Sequence, residues 1–190
     1  MTEFCLYGII RMLINKNSMH GGKKMKSRKL TIGLFILYLL ALVWIVLFKL
    51  NFSLFGGLDY LRSINLVPFA GTRLGNGVID MREIVDNVLV FIPYGIFVCM
   101  LMVKKNFAVK VIPVFLTSLA IELLQYIFAI GATDITDLLT NTAGGMIGIG
   151  IYFVFFKIFK DKTNKIINTI LLIGAIAMVL LIGLILIANS

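Results

Sequence analysis

The chain has 190 residues, of which 60% are hydrophobic and 14% charged, and its mean hydropathy is +1.03. A soluble domain is about half apolar and about a quarter charged, so this composition excludes one. The net charge of +9 does not indicate a nucleic-acid binder, because the basic residues gather at the ends of apolar runs and act there as topology signals.

Residues 1–29 form a basic leader holding Arg11, Lys16, Lys23, Lys24, Lys26, Arg28 and Lys29. The part before Met25 is polar and irregular, and a start at Met19 or Met25 would remove little of physical value. His20, the single histidine, lies in this leader and is not a ligand candidate. Cys5 and Cys99 have no partners at metal-ligand spacing and are expected to be free thiols. Neither a metal site nor a cofactor is expected.

Five apolar stretches follow, at 30–48, 87–103, 111–130, 138–156 and 166–188. Each approaches the roughly 20 residues that carry a helix across about 30 Å of hydrocarbon. A lone span must satisfy its own backbone, so the fold class is an all-α membrane bundle of about five transmembrane helices. The first stretch is longer than the 7–15 residues of a signal-peptide core and lacks a small-x-small cleavage site, which makes it an uncleaved anchor.

Charge orients the spans. The leader, the second-to-third connection (Lys104, Lys105, Lys110) and the fourth-to-fifth connection (Lys157, Lys160, Lys162, Lys165) together hold 14 basic residues. The other side holds 4, namely Lys49, Arg62, Arg73 and Arg82. The amino terminus is therefore expected in the cytoplasm and the carboxyl terminus outside. Asp59, Asp80, Glu83, Asp86, Asp134 and Asp137 all fall on the outer side. Acidic residues contribute little to topology, so this skew points to a functional outer face.

The connection over residues 51–86 is too apolar to float in water and is expected at the outer interface, as an amphipathic or partly re-entrant piece. Asn65-Leu66-Val67-Pro68-Phe69 closes its apolar part, because Pro68 holds Val67 extended. Gly71, Gly75 and Gly77 then mark turns around Arg73.

The third and fourth spans hold the polar constellation. Ser118, Glu122 and Gln125 share one helix face, with Glu122 about 12 Å below the outer end. Asp134, Asp137 and Asn141 share a face that continues into Gly144, Gly145 and Gly148. The second span brings Arg82, Glu83, Asp86 and Asn87 to the same level. An ionisable group in hydrocarbon is costly, so Glu122 marks a polar site or a helix-gluing pair. Asp134 and Asp137 read equally as site residues and as helix caps, and the glycines as packing or as close ligand approach. The candidate pocket comprises Arg73, Arg82, Asn87, Glu122, Gln125, Asp134, Asp137 and Asn141, with a cation from Arg73 or Arg82 beside Glu122.

At these residues the chain resembles the VanZ-like family, membrane proteins named for one linked to teicoplanin resistance. The matching stretches are residues 65–69 (NLVPF), 87–95 (NVLVFIPYG), 122–125 (ELLQ), 134–137 (DITD) and 141–145 (NTAGG), with Gly148. Some members carry a basic residue before the first aspartate, where this chain has Gly131-Ala132-Thr133. The resemblance implies a VanZ-like membrane domain over 30–160, followed by a fifth helix within 161–190. It also implies a bacterial cytoplasmic-membrane location and an effect on lipoglycopeptide susceptibility.

Two functions compete. The first is a non-enzymatic envelope protein whose outer pocket binds an amphiphile, a lipid head group or the lipid-bearing part of a glycopeptide; its partners are the bilayer and that ligand. The second is an intramembrane enzyme acting on a lipid-linked substrate, with Glu122 as acid and base. No histidine, cysteine or serine nucleophile supports the enzyme reading, and the absence of an inverted repeat argues against a transporter.

Overall fold

The computed structural model describes residues 27–44, 64–69, 81–128 and 133–188. Five long helices stand among them. They are α1 (Ser27–Trp44), α2 (Met81–Leu101), α3 (Phe107–Phe128), α4 (Ile135–Phe159) and α5 (Thr163–Ala188). Four apolar helical stretches are long enough to cross a membrane: α1, α2, α3 and the run Ile135–Leu180. That last run holds α4 and most of α5, with one 3₁₀ turn at Lys160–Lys162 between them.

Helices α2 to α5 each begin three to six residues before the matching apolar stretch. Hydropathy marks only the hydrocarbon depth, whereas polar residues continue the same backbone hydrogen bonds into the interface. The ends have local causes. Asn106 caps α3, its Oδ1 accepting the Val109 N–H at 2.9 Å. Asp134 caps α4 from an extended conformation and accepts the Thr136 N–H. Lys160, at φ 47°, ends α4 in the left-handed half of conformational space. Pro93 and Pro113 lie inside α2 and α3, which continue through them.

The chain divides into two compact units. The first joins the start of α1, through Leu34, with α5 from Asn164 onward. There Asn168 Nδ2 donates to Thr31 Oγ1 at 2.9 Å, and the Thr31 hydroxyl donates to the Ser27 carbonyl at 3.0 Å. Buried amides and hydroxyls of this kind hold membrane helices together.

The second unit runs over Phe35–Thr163. Its apolar core gathers Leu42, Phe91, Tyr94, Val98, Val114 and Ile121, with Phe35 and Tyr38 packed against them. The Phe35 ring meets the Tyr94 ring edge-on at 5.4 Å and lies 5.2 Å from that of Phe97. The Tyr38 hydroxyl donates to the Val90 carbonyl at 2.6 Å. Helices α2 and α4 run parallel and close. A Cβ on Gly144 would overlap the Val88 backbone, and one on Gly148 would overlap that of Ile92. The glycine face therefore serves helix packing. Helix α3 runs antiparallel to both, which places the end of α3 and the starts of α2 and α4 at one end of the unit.

Two findings differ from the sequence reading. The all-α fold carries one short β pairing: β1 (Ile64–Asn65) runs parallel to β2 (Thr133–Asp134), with Asn65 opposite Asp134. Lys110, counted among the topology charges of the second-to-third connection, is only 2% exposed, and its Nζ lies 4.8 Å from the centre of the Phe153 ring. The aromatic face replaces part of the hydration that burial removes, an exchange of about 2 kcal/mol when desolvated.

Candidate functional site

The site is organised by the first turn of α4. Asp134 uses both carboxylate oxygens: Oδ1 accepts the Thr136 N–H at 2.8 Å and Oδ2 accepts Asn65 Nδ2 at 2.9 Å. Its own N–H donates to Glu122 Oε2 at 3.0 Å. The Thr133 hydroxyl donates to the Glu122 carbonyl at 3.1 Å. Asp134 thus joins α3 and α4 to β1, which lies 69 residues earlier in the chain.

Residues 64–69 are fastened at the same point. Asn65 Oδ1 accepts the Val67 N–H at 3.2 Å, closing a local turn, and the Phe69 N–H donates to Thr136 Oγ1 at 2.9 Å. Phe69 has φ 62°, a conformation that costs a non-glycine residue about 1–3 kcal/mol. The bond to Thr136 helps hold it. Leu66 and Val67 project from this turn, largely exposed.

One turn further along α4, Asp137 Oδ1 accepts Asn87 Nδ2 of α2 at 2.7 Å. A further turn on, Asn141 Nδ2 donates to Ser118 Oγ of α3 at 3.1 Å. The cluster is deeply buried: Glu122 is 3% exposed, Gln125 1%, Asp137 5% and Asn141 0%. Buried carboxylates are tolerated only with hydrogen bonds or charges around them, and here neighbouring segments supply the bonds.

Of the residues singled out in the sequence, Asn87, Glu122, Gln125, Asp134, Asp137 and Asn141 lie at this end of the unit, buried or half-buried on α2, α3 and α4. Arg82 stands apart. Its side chain is 90% exposed, and its Nε lies 3.9 Å from Asp86 Oδ2, one turn along the same helix. An exposed arginine in the first turn of α2 cannot be the buried partner expected for Glu122. Arg73 lies outside the described residues.

Asn65, Thr136 and Ser118 were not counted among the site residues. Asn65 had a signal in the NLVPF stretch and Ser118 in its spacing of four from Glu122, whereas nothing marked Thr136. Among the described residues, no three His, Cys, Asp or Glu side chains come together as a metal centre requires.

Long apolar helices with a buried amide and carboxylate cluster at one end define a multi-pass membrane protein. The chain belongs to the VanZ/LLP1 family, which it matches over residues 35–160. It is 43% identical over 150 residues to Protein VanZ of Enterococcus faecium, an alignment covering 78% of this chain and 88% of that protein. No solved structure matches it. The family match spans Phe35 to Lys160, so it includes the whole described cluster.

Proposed function

We propose that this VanZ-like protein uses the polar cluster as an outward-facing intramembrane pocket for an amphiphile, and that occupancy lowers susceptibility to teicoplanin-type lipoglycopeptides. The supporting observation is the convergence of Glu122, Asp134, Asp137, Asn87 and Asn141 at one end of the unit, bonded across three helices and to β1. Two helices glued together would need one such pair, and this cluster has several. The exposed apolar turn at Leu66 and Val67 beside it suits a ligand with both a polar head and a lipid tail. The related Protein VanZ supports the resistance part of the reading.

Lys104, Lys105, Lys157, Lys160 and Lys162 lie at the other end of the unit. The reading places that end in the cytoplasm and the carboxylate end outside, in a bacterial cytoplasmic membrane.

The test is expression in a susceptible host. The chain is expected to raise the inhibitory concentration of teicoplanin more than that of a glycopeptide without an acyl chain. Asp137→Ala and Asn87→Ala should remove most of this protection at unchanged protein level. Equal protection by these variants, or none from the parent chain, would sink the reading.

A second reading, an enzyme with Glu122 as acid and base, draws on one observation: the Asp134 N–H fixes the Glu122 carboxylate in place. A catalytic carboxylate needs such fixing, and so does a binding one.

A further inference from the structure

Asn141 forms the floor of the cluster. It is fully buried, and its Nδ2 is spent on Ser118 Oγ at 3.1 Å. Its Oδ1 has no hydrogen-bond partner. Buried amide oxygens are nearly always paired, and one that is not calls for a water, an ion or a ligand group.

The surroundings restrict how that oxygen is reached. One turn further along α4, Gly145 sits so close to Val114 of α3 that a Cβ on it would overlap the Val114 methyl groups. Val114 is itself fully buried. This apolar contact closes the side of Asn141 away from the carboxylates. Asp137 lies one turn back on the same face of α4, and Glu122 one turn beyond Ser118 on α3. Asn141 therefore sits between an apolar helix contact on one side and the carboxylate end of the cluster on the other.

We infer that Asn141 Oδ1 receives a hydrogen-bond donor carried by the head group of the bound amphiphile. An N–H of a primary ammonium or an O–H of a sugar or glycerol group can supply it; a quaternary ammonium cannot. This rests on the amphiphile-binding reading above and narrows its ligand to head groups with a free N–H or O–H. Acceptors dominate the surroundings, since Glu122, Asp134 and Asp137 are carboxylates, and a donor-bearing head group suits them as well.

The full chain in phosphatidylcholine nanodiscs, whose lipid head group is quaternary, is titrated with three probes of equal tail length: dodecylamine, dodecyl glucoside and dodecyltrimethylammonium. Native mass spectrometry counts the bound probe. The wild type is expected to bind the amine or the glucoside about tenfold better than the quaternary probe, the effect of one hydrogen bond in a buried site. Preference for the amine alone, or for the glucoside alone, identifies which donor Asn141 Oδ1 takes. Asn141→Leu should erase the preference, whereas Asn141→Asp, which keeps an acceptor oxygen, should retain it. Ser118→Ala separates donor recognition from helix packing: it removes the Ser118 bond and leaves Oδ1 in place, so the preference should survive.

Equal binding of all three probes by the wild type would overturn the inference, leaving Oδ1 to a water, while the amphiphile reading would stand. So would a preference that persists in Asn141→Leu. Binding of none of the probes would overturn the amphiphile reading and this inference with it.

Discussion

The backbone N–H of Asp134 donates to the buried carboxylate of Glu122 at 3.0 Å, while the Asp134 side chain caps its own helix and holds Asn65. One residue therefore fixes the start of α4 against the end of α3 and against β1. This arrangement divides the possible roles of Glu122 by substitution. Glu122→Gln keeps an oxygen to accept the Asp134 N–H and should leave the protein folded. Glu122→Leu leaves that N–H unpaired and should cost about 1–3 kcal/mol, read as an earlier thermal transition in detergent. If the site binds, Glu122→Gln should retain more protection against teicoplanin than Glu122→Leu. Complete loss in a well-folded Glu122→Gln would instead favour acid–base chemistry.

Asn87 and Asp137 join α2 to α4 at 2.7 Å. Asn87→Ala and Asp137→Ala are each expected to destabilise by about 1–3 kcal/mol, since each removes a cross-helix hydrogen bond to a charged group. The double variant should cost little more than the worse single one, because the two changes remove one shared interaction. A double-mutant cycle on thermal unfolding checks this, and simple additivity would mean that the pair does not couple.

The α2–α4 contact predicts a contrast between glycines. Gly144→Ala and Gly148→Ala would each drive a methyl group into the backbone of α2, and overpacking of this kind costs about 1–3 kcal/mol or more. At Gly150 a Cβ meets nothing within 4 Å, so Gly150→Ala should be neutral, or stabilising by about 0.5–1 kcal/mol through helix propensity. Thermal shifts of the purified variants measure both. A destabilised Gly150→Ala beside an unaffected Gly148→Ala would contradict the packing.

The proposed orientation is tested by labelling. In a background with Cys5 and Cys99 replaced, a cysteine at Leu66, which is 72% exposed, should react with an impermeant thiol reagent in intact cells. Cysteines at Lys104 and Lys162, both exposed, should react only after the membrane is opened. Reaction of Lys104→Cys in intact cells would reverse the assignment. Thr163 is a poor reporter, because it is buried and its hydroxyl bonds the Phe155 carbonyl.

Membrane class, the approximate spans and the shared faces of Glu122 with Gln125 and of Asp137 with Asn141 were all legible in the chain itself. Hydrocarbon imposes a length on every apolar run, and helical periodicity then places residues three and four apart on one side. The NLVPF stretch was visible as a motif, yet its partner was not. That Asn65 reaches Asp134 depends on how a long connection returns to the end of α4, and no local pattern encodes that path. The same holds for Arg82 and Lys110. By its position either could be buried or solvated; the rotation of α2 turns Arg82 to the outside, and that of α3 brings Lys110 against Phe153. Local spacing decides which residues share a face. Only the packing of α2, α3 and α4, set by glycine contacts and by cross-helix hydrogen bonds, decides which faces meet.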